Sequence, residues 1–135
     1  MSLRSLPLIV LALILYNVVV FLFGGVDVLD RNLFEIPMLS GGIWKFNWGH
    51  LITLLTLFFL FIELVKSTYT NVSSLIDHGL SMIVFILCLV EFLMAKNAAT
   101  SVFFLIVVAT AIDVVAGFTI GIRVAQRDLT FGVSN

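Results

Sequence analysis

The sequence predicts an all-α membrane protein: four transmembrane helices in an up-down bundle, with one longer extracytoplasmic loop between the first and the second. Three observations carry this. The chain of 135 residues is 61% hydrophobic and 11% charged, with a mean hydropathy of +1.23. Soluble domains use about 45–50% apolar residues, so this composition calls for lipid as the solvent. Four long apolar runs are readable, at 6–23, 50–65, 75–95 and 98–122. Each is near the length of about 20 residues that crosses a hydrocarbon layer, the second being the shortest. The last two connections are short, which makes sequential helices antiparallel neighbours. Because hydrocarbon offers the backbone no hydrogen-bond partners, the runs are read as helices.

Taken in order, the chain reads as a single membrane domain. Its helices are expected at about 6–24, 49–66, 75–95 and 98–123, with an interfacial loop at 25–48 and a cytoplasmic tail at 124–135. The first run follows Arg4 and is read as a span rather than a signal peptide, since it is long for one and no Ala-x-Ala cleavage pattern follows. The long loop begins acidic, "GVDVLDRNLFEIPM", turns at "SGG", and continues as "IWKFNW". There Trp44, Phe46 and Trp48 alternate with Lys45 and Asn47. Period two predicts an extended segment with one apolar face, and tryptophan here suits anchoring at the membrane surface. In the polar connection "KSTYTNVSS", Ser73 or Ser74 can cap the third helix, and Asp77 then falls in its first turn, where the helix dipole favours a negative charge. The second, third and fourth helices are expected as a series of up-down hairpins. Arg4, Lys66, Arg123 and Arg127 share one side, against Arg31, Lys45 and Lys96 on the other. The excess places both termini in the cytoplasm.

Helical spacing gathers the polar residues. On the third helix Asp77, Ser81, Val84, Cys88 and Glu91 share a face. On the second, His50, Thr53, Thr56, Leu60, Glu63 and Ser67 do so, and on the fourth, Thr110, Asp113, Gly117 and Gly121. The first offers Leu13, Asn17, Val20 and Gly24. In lipid such faces turn inward or towards another subunit, giving a polar seam of Asn17, His50, Glu63, Asp77, His78, Glu91 and Asp113. Gly117 and Gly121 form a Gly-x-x-x-Gly pair suited to close helix packing, within the chain or in a dimer. Lys66 is one turn from Glu63 and can pair with it. Asp113 is the puzzle: it lies near mid-span, and Arg123 is roughly 15 Å away along the helix. It is expected to be neutral at pH 7, hydrogen-bonded, or sharing a cation.

These residues limit the chemistry. A net charge of −1 gives no general attraction to nucleic acid. The lone Cys88 forms no intrachain disulfide and no thiolate cluster. His50 and His78 lie near opposite surfaces, roughly 20 Å apart, too far to ligate one haem iron from its two faces within one chain, although a symmetric oligomer could bring two copies of either together. Glu63, Asp77 and His78 could converge on a metal, but adjacent helical residues point about 100° apart, so capping and surface hydrogen bonding are the stronger reading. No nucleophile sits beside a base, and no glycine-rich phosphate loop or zinc motif is present. A voltage sensor would need arginines within the fourth span, whereas Arg123 and Arg127 lie at or beyond its end. The expectation is therefore a non-enzymatic protein with no cofactor and no metal. It acts as a homo-oligomer or as an accessory subunit of a larger membrane complex, its polar seam fixing helix packing. The alternative is a proton- or cation-conducting oligomer using Asp113, Glu63 and Glu91.

The stretches "FEIPMLSGG", "FIELVKST", "LIDHGLSMIVFILCLVEFL" and "AATSVFFLIVVATAIDVVAGF", with the arginine-ending tail, occur together over about 34–128. In these the chain resembles a group of small four-span proteins of alphaproteobacterial inner membranes. The resemblance implies a bacterial inner-membrane location and transfers no functional residue. An acid is common in that group where His50 stands, so the resemblance implies no role particular to the imidazole.

Overall fold

A computed structural model describes residues 6–68 and 72–133; for 72–75, 77, 78, 121, 124, 125 and 128–133 it describes the backbone alone. The described chain is mostly helical, with four α-helices and a small hairpin. Helix α1 spans Val10–Leu22 and starts later than its apolar run. The residues before it are wound more tightly, with Val10 N–H on Pro7 O and Leu11 N–H on Leu8 O at 3.2 and 2.9 Å. These are i to i−3 bonds, the 3₁₀ pattern common at helix ends.

The end of α1 is set by glycine. Gly24 has φ +119°, a backbone shape that side chains resist, and Gly25 N–H reaches back to Val20 O at 2.8 Å. This is the longer bond of a Schellman stop. A 3₁₀ turn at Val26–Asp30 then tucks Val28 and Leu29 into the core. Strands β1 (Asn32–Pro37) and β2 (Ile43–Asn47) pair antiparallel. The alternation in "IWKFN" is thus a strand, and its partner is "NLFEIP". Phe34 stands opposite Phe46, Glu35 opposite Lys45 and Ile36 opposite Trp44, with an irregularity between Asn32 and Phe34.

Helix α2 (Trp48–Lys66) follows β2 without a break. Asn47 caps it: the Asn47 side chain accepts from His50 N–H at 2.8 Å, and His50 Nδ1 accepts from Asn47 N–H at 3.2 Å. Helix α3 spans Val72–Met94, and α4 spans Ser101–Val133. The apolar fourth run therefore continues as helix into the polar segment that the sequence reading treats as a tail.

Neighbouring helices reverse direction. The last turn of α2 meets the start of α1 through Glu63 and Leu8, and Tyr16 on α1 meets Asn97 and Thr100 at the α3–α4 junction. The expected series of hairpins 2–3–4 is not the packing order. Helix α4 packs against both α2 and α3, and α1 leans on α2 and the 3₁₀ turn. The reason lies in the faces. At about 100° per residue, the buried positions of α4 from Phe103 to Gly117 cover about 160° of its circumference, those of α2 about 80°. Among the described residues, α4 has the wider buried face of the two, enough to take both α2 and α3 along its length.

The core is centred on Tyr16, Ile52, Phe103 and Ile106, all fully buried, with the Tyr16 ring edge-on to Phe103 at 4.9 Å. Outward faces are apolar on all four helices, including Ile14 and Phe21, Leu57 and Phe61, Ile86 and Leu87, and Phe104 and Val115. Buried inside are Thr56, Glu63, Ser67, Ser81, Thr110 and Asp113. Among the described residues, α2 and the Ser101–Ile120 part of α4 are long and apolar enough to cross a membrane, with mean hydropathies of 1.9 and 2.4. Val10–Leu22 and Gly79–Met94 are shorter apolar helices.

Candidate functional site

The polar seam is the candidate site, and the structure divides it into separate ties. At one end of the bundle lies Glu63, 2% exposed near the end of α2. Its carboxylate accepts the backbone N–H of Leu8, just before α1, and pairs with Lys66 Nζ at 3.2 Å. Lys66 Nζ also donates to Leu6 O at 3.2 Å. No side chain of its own caps α1, whose N-cap position is Ile9. Helix starts leave N–H groups without partners and carry a positive dipole end. Glu63 supplies from a neighbouring helix what the first helix lacks.

At the other end, Tyr16 Oη donates to Asn97 O at 2.7 Å and lies 2.8 Å from Thr100 Oγ1. Thr100 Oγ1 in turn accepts Phe103 N–H at 3.2 Å. One hydroxyl of α1 thus holds the turn that reverses the chain into α4. Beside it, Asn17 Nδ2 donates to Leu13 O at 3.0 Å and to Glu91 Oε1 at 3.3 Å. Glu91 Oε2 is buried with no hydrogen-bond partner among the described residues.

Several polar residues that share the predicted faces make no such tie through the hydrogen bonds described. Thr53, Thr56, Ser67 and Thr110 return their hydroxyls to carbonyls of their own helices, at 2.7–3.0 Å. This pattern satisfies a hydroxyl locally. Asp113 is 1% exposed, and Gly117 is buried on the same face of α4. Gly121 lies within α4, but its surroundings fall outside the described residues, as do the side chains of Asp77, His78, Ser73 and Ser74. His50 stands apart from the seam. It is exposed, its Nδ1 completes the cap of α2, and its ring lies 5.8 Å from Phe46.

The aromatic residues form their own group on the hairpin. Phe34 stacks on Phe46 at 4.9 Å and meets Trp44 edge-on at 5.5 Å. Trp44 stays 45% exposed, and Trp48 is half-buried at the start of α2. No group of three or more His, Cys, Asp or Glu among the described residues is placed to share a metal ion.

Tyr16 is the main contact between segments that sequence reading misses. A tyrosine inside an apolar run needs a partner for its hydroxyl, and that is the signal that could have found it. The cap role of His50 had a signal too: Asn47 followed three residues later by a side chain that can accept from it, as in a capping box. Comparison with protein-family models, with curated proteins and with solved structures returns no match.

Proposed function

We propose that this chain is a small four-span protein of the bacterial inner membrane, with both termini cytoplasmic and no chemistry of its own. It works as a homo-oligomer or as an accessory subunit of a larger membrane complex. The observation that carries this reading is the use made of the buried polar atoms. Glu63, Tyr16 and Asn17 each join separate segments of the chain, while large apolar side chains face outward on every helix. In water that arrangement exposes what should be buried; in lipid it is the expected order.

Low burial of the long helices supports the membrane. Only 28% of the apolar window of α2 and 44% of that of α4 are buried inside the protein. The core helix of a soluble domain would be mostly covered. The shorter α1 is compatible with a span. Its 13 residues rise about 20 Å, and the tightly wound lead-in adds about 6 Å, close to a thin bilayer's hydrocarbon. Trp44, Phe46 and Trp48 at one end suit anchoring among headgroups. The inner-membrane location rests on the resemblance described above.

The test is a native mass after gentle extraction from the parent membrane. A defined homo-oligomer or a larger complex is the expected result. A lone chain, with no partner under several mild detergents, would overturn the associative role. Ion or proton flux through a reconstituted homo-oligomer, lost in Asp113→Asn, would replace this reading with conduction.

A further inference from the structure

Where α1 stops and α2 begins, Val19, Phe23, Val28, Arg31 and Trp48 line a recess of about 120 Å³. An apolar cavity that takes a benzene ring measures about 150 Å³. This recess therefore takes a short length of acyl chain or a glycerol unit, not a large ligand. Its walls are apolar apart from Arg31. Arg31 Nη2 lies 3.6 Å from where a Cβ on Gly24 would stand, so the guanidinium rests against the glycine stop of α1. Among the described residues that guanidinium forms no hydrogen bond and no ion pair; Glu35, the acid on β1, accepts from Asn32 instead. Phe23, in its wall, and Leu22 before it are 61% and 73% accessible, an exposed apolar surface next to the recess.

An available guanidinium beside an apolar slot is a match for an amphiphile with a phosphate at one end. Two exposed acids refine the match. Asp27 and Asp30 lie three apart on the 3₁₀ turn that carries Val28, and side chains so spaced eclipse one another. Each directly precedes a lining residue, Val28 or Arg31, so their negative charge near the recess disfavours a wholly anionic headgroup and favours one with an ammonium.

Resting on the membrane reading above, we propose that this recess binds one phospholipid with a zwitterionic, ammonium-bearing headgroup. Arg31 holds the phosphate, the acids of the 3₁₀ turn face the ammonium, and the head of an acyl chain lies over Phe23 and Leu22. The competing structural role for Arg31 is to offset the negative dipole end of α1, which requires no lipid.

The probe is the full chain in vesicles of equal parts phosphatidylethanolamine and phosphatidylglycerol, followed by native mass spectrometry. Wild type is expected to retain one phosphatidylethanolamine per chain. Arg31→Gln is expected to retain it about tenfold less, the scale of one lost charge-assisted contact, while Arg123→Gln matches wild type. Equal retention by Arg31→Gln, preference for phosphatidylglycerol, or displacement of the lipid by millimolar inorganic phosphate each overturns the proposal. Should Arg31→Gln fail to fold, a photoreactive phosphatidylethanolamine on the wild type decides. Crosslinks at Val19, Phe23 or Trp48 support the site, and crosslinks only elsewhere overturn it. A chain that inserts without retaining lipid overturns this proposal alone; one that never enters the vesicles overturns the membrane reading and the proposal with it.

Discussion

Glu63 shows why a carboxylate is worth burying in so apolar a chain. Its donors include one from the backbone before α1 and one from Lys66. Glu63→Ala removes the acceptor that caps the Leu8 N–H and breaks the pair with Lys66. Lys66 is 27% exposed and can turn outward, so the cost is expected at about 2–3 kcal/mol rather than the higher range of a fully buried pair. Glu63→Gln keeps an acceptor and should lose less than half as much. Thermal unfolding in mild detergent checks both, and an alanine variant as stable as wild type would remove Glu63 from its capping role. Tyr16→Phe is a cleaner deletion, since the ring and its contact with Phe103 remain. It strands the Asn97 carbonyl and is expected to cost about 1–2 kcal/mol. In the same assay, no loss would show that another donor takes over.

The junction of α2 with α4 depends on a residue without a side chain. A Cβ on Gly49 would stand 3.0 Å from Val102 Cγ2 and 3.3 Å from the Leu29 carbonyl oxygen. Alanine improves helix propensity by up to about 1 kcal/mol, but overpacking costs about 1–3 kcal/mol. Gly49→Ala is therefore expected to destabilise on balance. Val102→Ala should relieve part of that loss, the carbonyl contact remaining, and a double-mutant cycle measures the relief. A Gly49→Ala chain more stable than wild type would show that the helices separate freely at this point. The same junction shows how far elements can be read from sequence. The β2 strand was legible because Trp44, Phe46 and Trp48 alternate with polar residues over a short stretch. Strand β1 was not, because "NLFEIP" has weak alternation and ends in proline, and only pairing with β2 makes it a strand. His50 misled for a related reason. Periodicity counts faces of a helix, but the first turn of a helix uses its side chains to satisfy the backbone.

For the molecule as a whole, four apolar segments and a polar interior were legible from composition and spacing, whereas the packing order was not. Short connections predicted neighbours in sequence, yet α4 lies against both α2 and α3 because its buried face is wider than that of α2. The seam was legible as a set of faces but not as a set of bonds. Hydroxyls such as Thr56 and Thr110 turn back on their own helices, and the ties between segments fall to Glu63, Tyr16 and Asn17. Asp113 brings these points together, because its role separates a packing seam from a conducting one. Cys88 reports on the whole bundle: it is fully buried on α3, so a maleimide should reach it only when the helices part. Native protein is expected to resist labelling and to label on heating. Asparagine keeps the size and hydrogen-bonding capacity of Asp113, while leucine keeps bulk alone. Under the packing reading, Asp113→Asn should protect Cys88 about as well as wild type, whereas Asp113→Leu should raise the labelling rate several-fold, the scale of about 1 kcal/mol in opening. Equal protection in wild type and both variants would show that the polar group does no packing work. If Asp113→Asn then also stopped proton or cation flux, the burial of Asp113 would belong to conduction, and the bundle's interior would have to be read as a path rather than a seam.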